Sequence, residues 1–241
     1  LAWICCLTLL VLAGRHDFCG YGLADDATAQ SKTEDGFVPL FNGKGQLGEG
    51  QQWFDPDPVK QYKGTADVVY HYFQPDYQYL VAEIGSMYPP EAGVKNWKRT
   101  FIFLPPGRLV IRDQIAWQHS GKVEERLHLS QEPKQYAPNM VCSGTDTGLV
   151  VGNPFPENVR LDVGKYEIEK SERTHYANTP GGFLRLVAQG ANAMILSIHA
   201  NGKCVGENDL PAVSLSGDRL EIREPKRRIM IDFEKNKVTF E

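Results

Sequence analysis

From residue 66 to the C-terminus, short runs of aromatic and β-branched residues alternate with turn-forming residues. Runs of this kind, a few residues long and bounded by proline or glycine, are typical of β-strands. No segment combines a helical period with helix caps. The pattern predicts an all-β protein, a large antiparallel β-sandwich. Strands are predicted at 66–73, 77–84, 99–104, 108–115, 123–130, 165–170, 183–188, 193–199, 220–224, 228–233 and 237–240.

Turns are predicted between these strands where proline, glycine, asparagine and charged residues cluster. Gln74-Pro75-Asp76 and Pro105-Pro106-Gly107 are strong hairpin signals, because proline presets the backbone for a turn. Gln189-Gly190-Ala191-Asn192 separates two apolar runs, and Glu224-Pro225-Lys226 and 234–237 separate the last three.

The size and composition are those of one soluble domain. The 241 residues are 41% hydrophobic and 23% charged, which is ordinary for a globular protein that buries a core. We expect a single β-sandwich domain over 37–241. Residues 25–36 are polar and aperiodic, which predicts a flexible segment before it.

The first residues resemble an export signal. Residues 1–14 are uncharged and apolar, too short for a bilayer span of about 20 residues but within the ~7–15 of a signal-peptide core. Gly22-Leu23-Ala24 and Ala27-Thr28-Ala29 fit the small-residue cleavage pattern. We predict a signal peptide over 1–24 and a secreted or periplasmic location. A buried strand is the alternative.

Cysteine usage agrees with export. Three of the five cysteines lie in or near the predicted signal, namely Cys5, Cys6 and Cys19. Cys142 and Cys204 would remain, and a disulfide between them is the expectation for an oxidising compartment. Two separately buried thiols are the alternative.

Several partner and cofactor classes are disfavoured. A formal net charge of −4 argues against nucleic acid and anionic membrane surfaces, which attract basic proteins. The sequence contains no Cys/His zinc spacing, no phosphate-binding loop and no His-Glu-x-x-His. We therefore expect no metal and no cofactor. His71 and His199 lie in apolar strands, where a histidine is more often structural than catalytic.

Five segments in order resemble motifs of one enzyme family. They are Asn42-Gly-Lys-Gly-Gln46, Tyr79 to Tyr88, Arg99, Phe101 to Asp113, and Leu127-His128. In this order and spacing they resemble the heparinase II/III-like polysaccharide lyases, over residues 36–132. The resemblance implies the C-terminal β-sandwich that packs behind a helical toroid in complete lyases. It also implies β-elimination on uronic-acid polysaccharides and a toroid module as partner.

The sequence departs from that family where chemistry would be expected. The His-Asn pair that usually precedes the first motif is replaced by Glu34-Asp35-Gly36-Phe37, and the His-x-His-x-Asp strand is absent. The family's aspartate after the tyrosine-rich strand is Glu83. No catalytic or substrate-binding residue is therefore carried over. We expect an incomplete lyase β-domain that is inactive without its catalytic module.

Four residues remain as weak candidates for a polar site. Glu83 and His128 are an acid and an imidazole on strands that could match, either as a functional pair or in ordinary hydrogen bonds. Arg99 and Asp113 could form an ion pair between adjacent strands or have separate exposed roles.

Two other functions stay open. A secreted carbohydrate-binding or structural sandwich could stack sugars on Tyr70, Tyr72, Tyr77 and Tyr79, or use these rings for packing. Three or more coplanar exposed rings would favour binding. Residues 35–44 also resemble the opening of the 3-keto-disaccharide hydrolase-like proteins, from which the chain departs before Trp53.

Overall fold

The computed structural model describes residues 39–45, 65–129, 132–137, 139–144, 147–152, 159–168, 179–203 and 212–241. These segments form fourteen strands and two short 3₁₀ helices, Gly85–Met87 and Pro90–Ala92. The predicted all-β fold is confirmed. In this part of the chain no helix has the length and apolar character needed to cross a membrane.

Ten strands form the main sheet. They are β1 (Leu40–Phe41), β2 (Asp67–Phe73), β3 (Gln78–Glu83), β4 (Val94–Leu104), β5 (Arg108–Leu129), β6 (Lys134–Ala137), β7 (Met140–Gly144), β8 (Thr147–Gly152), β9 (Arg160–Ile168) and β10 (Thr179–Lys203). Eight follow the order β2-β3-β4-β5-β10-β8-β7-β6, while β1 pairs with β5 and β9 with β10.

A second sheet contains the C-terminal strands in sequence order. They are β11 (Ala212–Ser216), β12 (Arg219–Arg223), β13 (Arg228–Asp232) and β14 (Lys237–Phe240). All strand pairs in both sheets are antiparallel, as the closely spaced turns predict.

The two central strands are longer than the sequence predicts. β5 has 22 residues and β10 has 25, and each contains two of the predicted strands. The predicted turn at 189–192 is wrong: Gly190 pairs with Gly121, and after a register shift Asn192 pairs with Ala116. An irregularity of this kind bends a strand without ending it.

Two glycines permit the bend. Gly190 has a φ of 141°, a conformation that other residues rarely adopt. A Cβ on Gly121 would lie 2.2 Å from Nε1 of Trp117. The ring of Trp117 therefore occupies the space that a side chain at Gly121 would need.

The bend divides the main sheet into two parts that face each other. The broad half contains β2, β3, β4, β6, β7 and β8 with 108–117 of β5 and 192–203 of β10. The narrow half contains β1 and β9 with 121–129 of β5 and 179–190 of β10. Trp97 and Ile115 of the broad half share one core cluster with Val123, Leu184 and Leu186 of the narrow half.

The second sheet covers the other face of the broad half. Leu220, Ile222, Ile229 and Ile231 alternate with less buried residues along β12 and β13 and are at most 1% exposed. They pack against side chains of β3, β4, β5 and β10, including Tyr79, Ile102 and Leu196. Burying an aliphatic side chain of this size contributes about 1.5–3 kcal/mol, so this layer is an integral part of the fold.

The first family-like motif has a structural role. Asn42, in the left-handed region at φ 52°, donates from Nδ2 to the carbonyl of Ala92 at 2.9 Å and accepts the backbone N–H of Lys122 at 2.8 Å. It thus links the β1 turn to the second 3₁₀ helix and to β5, next to the bend.

The sequence did not predict β1, β6, β7, β8 or β11, and it predicted only part of β4 and β9. The predicted signal peptide over 1–24 and the flexible segment over 25–36 lie outside the described residues. The single-domain boundary at 37 stays a prediction.

Candidate functional site

A buried ion pair lies between β4 and β5. Arg99 pairs in register with Asp113, and its guanidinium donates from Nε to Oδ1 at 2.7 Å and from Nη2 to Oδ2 at 2.9 Å. The Asp113 side chain is fully buried and that of Arg99 is 12% exposed. The ion pair that the sequence suggested is therefore present, in the bidentate geometry that is strongest for arginine and a carboxylate.

A second carboxylate reaches the same guanidinium from the narrow half. Nη2 of Arg99 donates to Oε1 of Glu125 at 2.7 Å, and Glu125 is 6% exposed. The sequence motifs did not point to Glu125 as a member of this site. Its position in the strand could have identified it, because Glu125 lies on the same face of β5 as Val123 and Leu127. These two residues belong to the core between the halves or pack against it.

Trp97 completes this charge cluster. Its indole Nε1 donates to Oδ1 of Asp113, and Cζ of Arg99 lies 4.8 Å from the centre of the indole ring. Asp113 therefore accepts bonds from two side chains, and the Arg99 cation also lies over an aromatic face, which is favourable.

The charges of the cluster are unequal, with one guanidinium and two carboxyl groups. Burial lowers the pKa of Arg99, but the charges of Asp113 and Glu125 outweigh it, so its pKa lies above the ordinary value. Burial and the negative charge of Asp113 raise the pKa of Glu125 well above its ordinary value. Glu125 therefore binds a proton more readily than an ordinary glutamate, and the cluster has no net charge when it does so.

A serine and a histidine lie on the same face of β10. Oγ of Ser197 is 2.9 Å from Nε2 of His199, and the two residues are 2% and 6% exposed. Burial and the positive charge of Arg99 lower the pKa of His199 to about 4. His199 is therefore neutral near pH 7, in agreement with the structural role that the sequence suggested. His71 is exposed and stands beside Phe73.

The structure does not bring Glu83 and His128 together. Glu83 pairs with Lys98, which pairs in turn with Gln114 of β5. His128 pairs with Phe183 in the narrow half. The two residues therefore do not occupy matching positions on neighbouring strands. The side chain of Glu83 is 46% exposed and lies 3.8 Å from Nζ of Lys98, while the side chain of His128 lies outside the described part.

The tyrosines proposed for sugar stacking serve packing instead. Tyr77 and Tyr79 are buried, at 7% and 0% exposure. Tyr70 meets Tyr79 edge-on at 5.6 Å, and Tyr72 stacks on Tyr77 at 4.6 Å. Burial raises the pKa of Tyr79. The criterion of three coplanar exposed rings is not met by this group.

Cys142 is disulfide-bonded and 2% exposed. Cys204 lies outside the described residues, so the pairing of these two cysteines stays a prediction. Within the described segments no group of three or more His, Cys, Asp or Glu residues is arranged to hold a metal ion.

Several solved structures resemble this chain in fold. A heparinase III gene product aligns over 87% of this chain with a TM-score of 0.54 and 13% identity. The fold is heparinase-like. Another heparinase III aligns over 86% with a TM-score of 0.51 and 9% identity. Heparan sulfate lyase HepC from Pedobacter heparinus aligns over 73% with a TM-score of 0.52 and 12% identity.

The likeness to heparinases is one of fold. The chain spans 28–30% of the length of those structures. No family model matches it, and no curated protein sequence does.

Proposed function

We propose that this chain is a heparinase-like β-domain that binds uronic-acid polysaccharides and does not cleave them by itself. The observation that carries the proposal is the fold shared with a heparinase III over 87% of the chain. The ordered motifs between residues 36 and 132 point to the same family.

The internal pairing of its reactive groups supports the absence of turnover. A β-elimination needs a group that neutralises the uronate carboxylate, a base for the C5 proton and an acid for the leaving oxygen. Arg99, Asp113 and Glu125 bond to one another inside the core, and His199 is buried against Ser197. These side chains have suitable chemistry but are engaged with each other.

We further propose that a helical toroid, on the same or a separate polypeptide, supplies the catalytic groups, as the family resemblance implies. The domain would then hold the polysaccharide or position the toroid. We also propose export to the periplasm or the exterior. The disulfide at Cys142 supports this, because stable disulfides form in oxidising compartments.

The experiment combines a cleavage assay with a binding assay on the purified chain. Heparin, heparan sulfate and alginate are incubated with it, and the ultraviolet absorbance of unsaturated uronate is followed, with an active heparinase III as positive control. Affinity electrophoresis compares these glycans with neutral dextran. We expect no rise in absorbance and retardation by acidic glycans only. A rise would disprove the lack of turnover, and equal mobility in all gels would disprove glycan binding.

A further inference from the structure

One end of the molecule brings together three hairpin turns and the last strand. The turn at 105–107 is linked to the turn at 224–227, since Nη2 of Arg227 donates to the carbonyl of Pro105 at 3.0 Å. Tyr77, which follows the turn at 74–76, lies 6.3 Å from Phe240 of β14 between ring centres. We call the surface formed by Tyr72, Tyr77, Arg108, Arg227 and Phe240 the turn-end patch.

The two arginines of the patch share one carboxylate, and Glu241, next to Phe240, is paired with Arg228 at 3.2 Å. Arg108 and Arg227 both form ion pairs with Glu224, with 2.7 Å between Nε of Arg227 and Oε2. Burial lowers the pKa of Arg108, and the like charge of Arg227 lowers it further. Lys226 and Asp76 add one charge of each sign at the adjacent turns. Two guanidinium groups thus share one carboxylate, and a second anion would be favourable there.

An exposed aromatic ring adjoins these charges. Phe240 is 38% exposed, and Cζ of Arg227 lies 5.7 Å from its ring centre. Phe73, at 47% exposure, is the other exposed large aromatic among the described residues. No arginine of the described residues lies over its ring. Phe240 therefore combines an apolar face with a nearby cation, Arg227. The side chain of Arg227 is 32% exposed.

We propose that the turn-end patch binds a uronate residue of an acidic polysaccharide. The apolar face of the pyranose ring packs on Phe240, and the sugar carboxylate bonds to Arg227, with the charge of Arg108 behind it. Tyr77, on which Tyr72 stacks, supports Phe240 from the core side. This inference rests on the proposed function and assigns the glycan contact to named residues.

Variants test the patch by titration calorimetry with heparan sulfate and alginate oligosaccharides. Arg227→Gln and Phe240→Ala should each weaken binding about tenfold, equivalent to about 1.4 kcal/mol. Arg219→Gln is the matched charge control, because Arg219 is 72% exposed and lies at the opposite end of β12. Phe73→Ala is the aromatic control, on the opposite face of β2 from Tyr72. Both controls should bind within about twofold of the wild type.

A protection experiment on the wild type avoids any effect of the variants on folding. Phenylglyoxal modifies exposed arginines, and peptide mapping measures the rate at each one. Bound heparan sulfate oligosaccharide should slow modification of Arg227 several-fold and leave Arg219 unchanged.

The outcomes separate the patch from the proposed function. If the wild type binds the glycan but both patch variants bind it with unchanged affinity, the patch is not the binding site. The same holds if the bound glycan does not protect Arg227. Either result leaves glycan binding itself intact. Failure of the wild type to bind any acidic oligosaccharide overturns both. Equal binding of dextran overturns recognition of the carboxylate.

Discussion

Arg99 on β4 and Glu125 on β5 are bonded at 2.7 Å across the core, and this bond joins the two facing halves of a single sheet. A buried charge without a partner costs several kcal/mol, so Arg99 stabilises the folded state only while its carboxylates surround it. The bond between Arg99 and Glu125 therefore forms only when the sheet bends far enough to bring the two halves together.

Glu125→Gln should change how stability depends on pH. Burial and the charge of Asp113 raise the pKa of Glu125 in the folded state. At pH values between the pKa of Glu125 in the unfolded chain and its pKa in the folded state, the native state therefore binds more protons than the unfolded state. Stability from this group is present at low pH and is lost as pH rises towards the folded pKa. The variant should therefore gain stability relative to wild type as pH rises above the ordinary glutamate pKa of about 4.3, by ~1.4 kcal/mol per unit of pKa shift. Urea unfolding at several pH values measures this.

Glu124→Gln is the matched control, on the opposite face of the same strand. Burial raises the pKa of Glu124, but hydrogen bonds from Lys122 and Arg126 outweigh it and the pKa is lowered. Stability from Glu124 should therefore be lost as pH falls, so Glu124→Gln should lose stability near neutral pH. If the stabilities of both variants, relative to wild type, changed in the same direction with pH, the assignment of the proton to Glu125 would be wrong.

His199 should destabilise the fold in mild acid. Its pKa of about 4 in the folded state lies below the ordinary value of about 6.5, so the unfolded state binds the extra proton first. Stability from neutral His199 should be lost as pH falls from about 6.5 towards about 4. His199→Gln should flatten the decline across that window. Nuclear magnetic resonance of the ring protons gives a direct check, and titration of His199 near its ordinary pKa would contradict the prediction.

Gly121→Ala should disturb the bend. The new Cβ would lie 2.2 Å from the indole of Trp117, so the ring must move, at a cost of about 1–3 kcal/mol. Gly217→Ala is the control. A Cβ on Gly217 would meet no atom within 4 Å, so the substitution adds only the backbone strain of a φ of 59°. Chemical denaturation gives both losses, and tryptophan emission should change in Gly121→Ala only. An unchanged emission in Gly121→Ala would mean that Trp117 does not fill that space.

Non-reducing peptide mapping should find Cys142 joined to Cys204. Cys142 is a half-cystine in the structure, and the other three cysteines lie within or beside the predicted signal peptide. Reduction, or a Cys142→Ser and Cys204→Ser double variant, should lower the free energy of unfolding by about 2–5 kcal/mol. A peptide that links Cys142 to Cys5, Cys6 or Cys19 would refute both the pairing and cleavage of the signal.

The pairing of Arg99 with Asp113 was predictable because it follows from a local hairpin. Pro105-Pro106-Gly107 forms the turn, with the N–H of Gly107 donating to Leu104 O at 3.2 Å, and residues 99 and 113 are equidistant from Pro106. Once a hairpin turn is set, the register along both arms follows. The turns at 74–76 and 224–227 were predictable for the same reason.

Glu125 was not predictable in this way, because no local pattern states which distant strand it will face. Its contact with Arg99 depends on the bend at Gly121 and Gly190, and in the sequence these glycines resemble turn residues. The burial of Tyr77 and Tyr79 likewise depends on the second sheet, whose position no hairpin rule gives.

The sequence by itself determined that the chain is all-β and where the hairpins at 74–76, 105–107, 224–226 and 234–237 turn. These properties depend on side-chain alternation and turn chemistry, which act over a few residues. The tertiary structure decided that β5 and β10 each continue through a bend, that the sheet folds back on itself, and that Arg99 meets Glu125 while Arg227 meets Phe240. These contacts depend on packing between segments far apart in the chain, where burial of apolar surface is non-directional and specifies no partner until the layers meet.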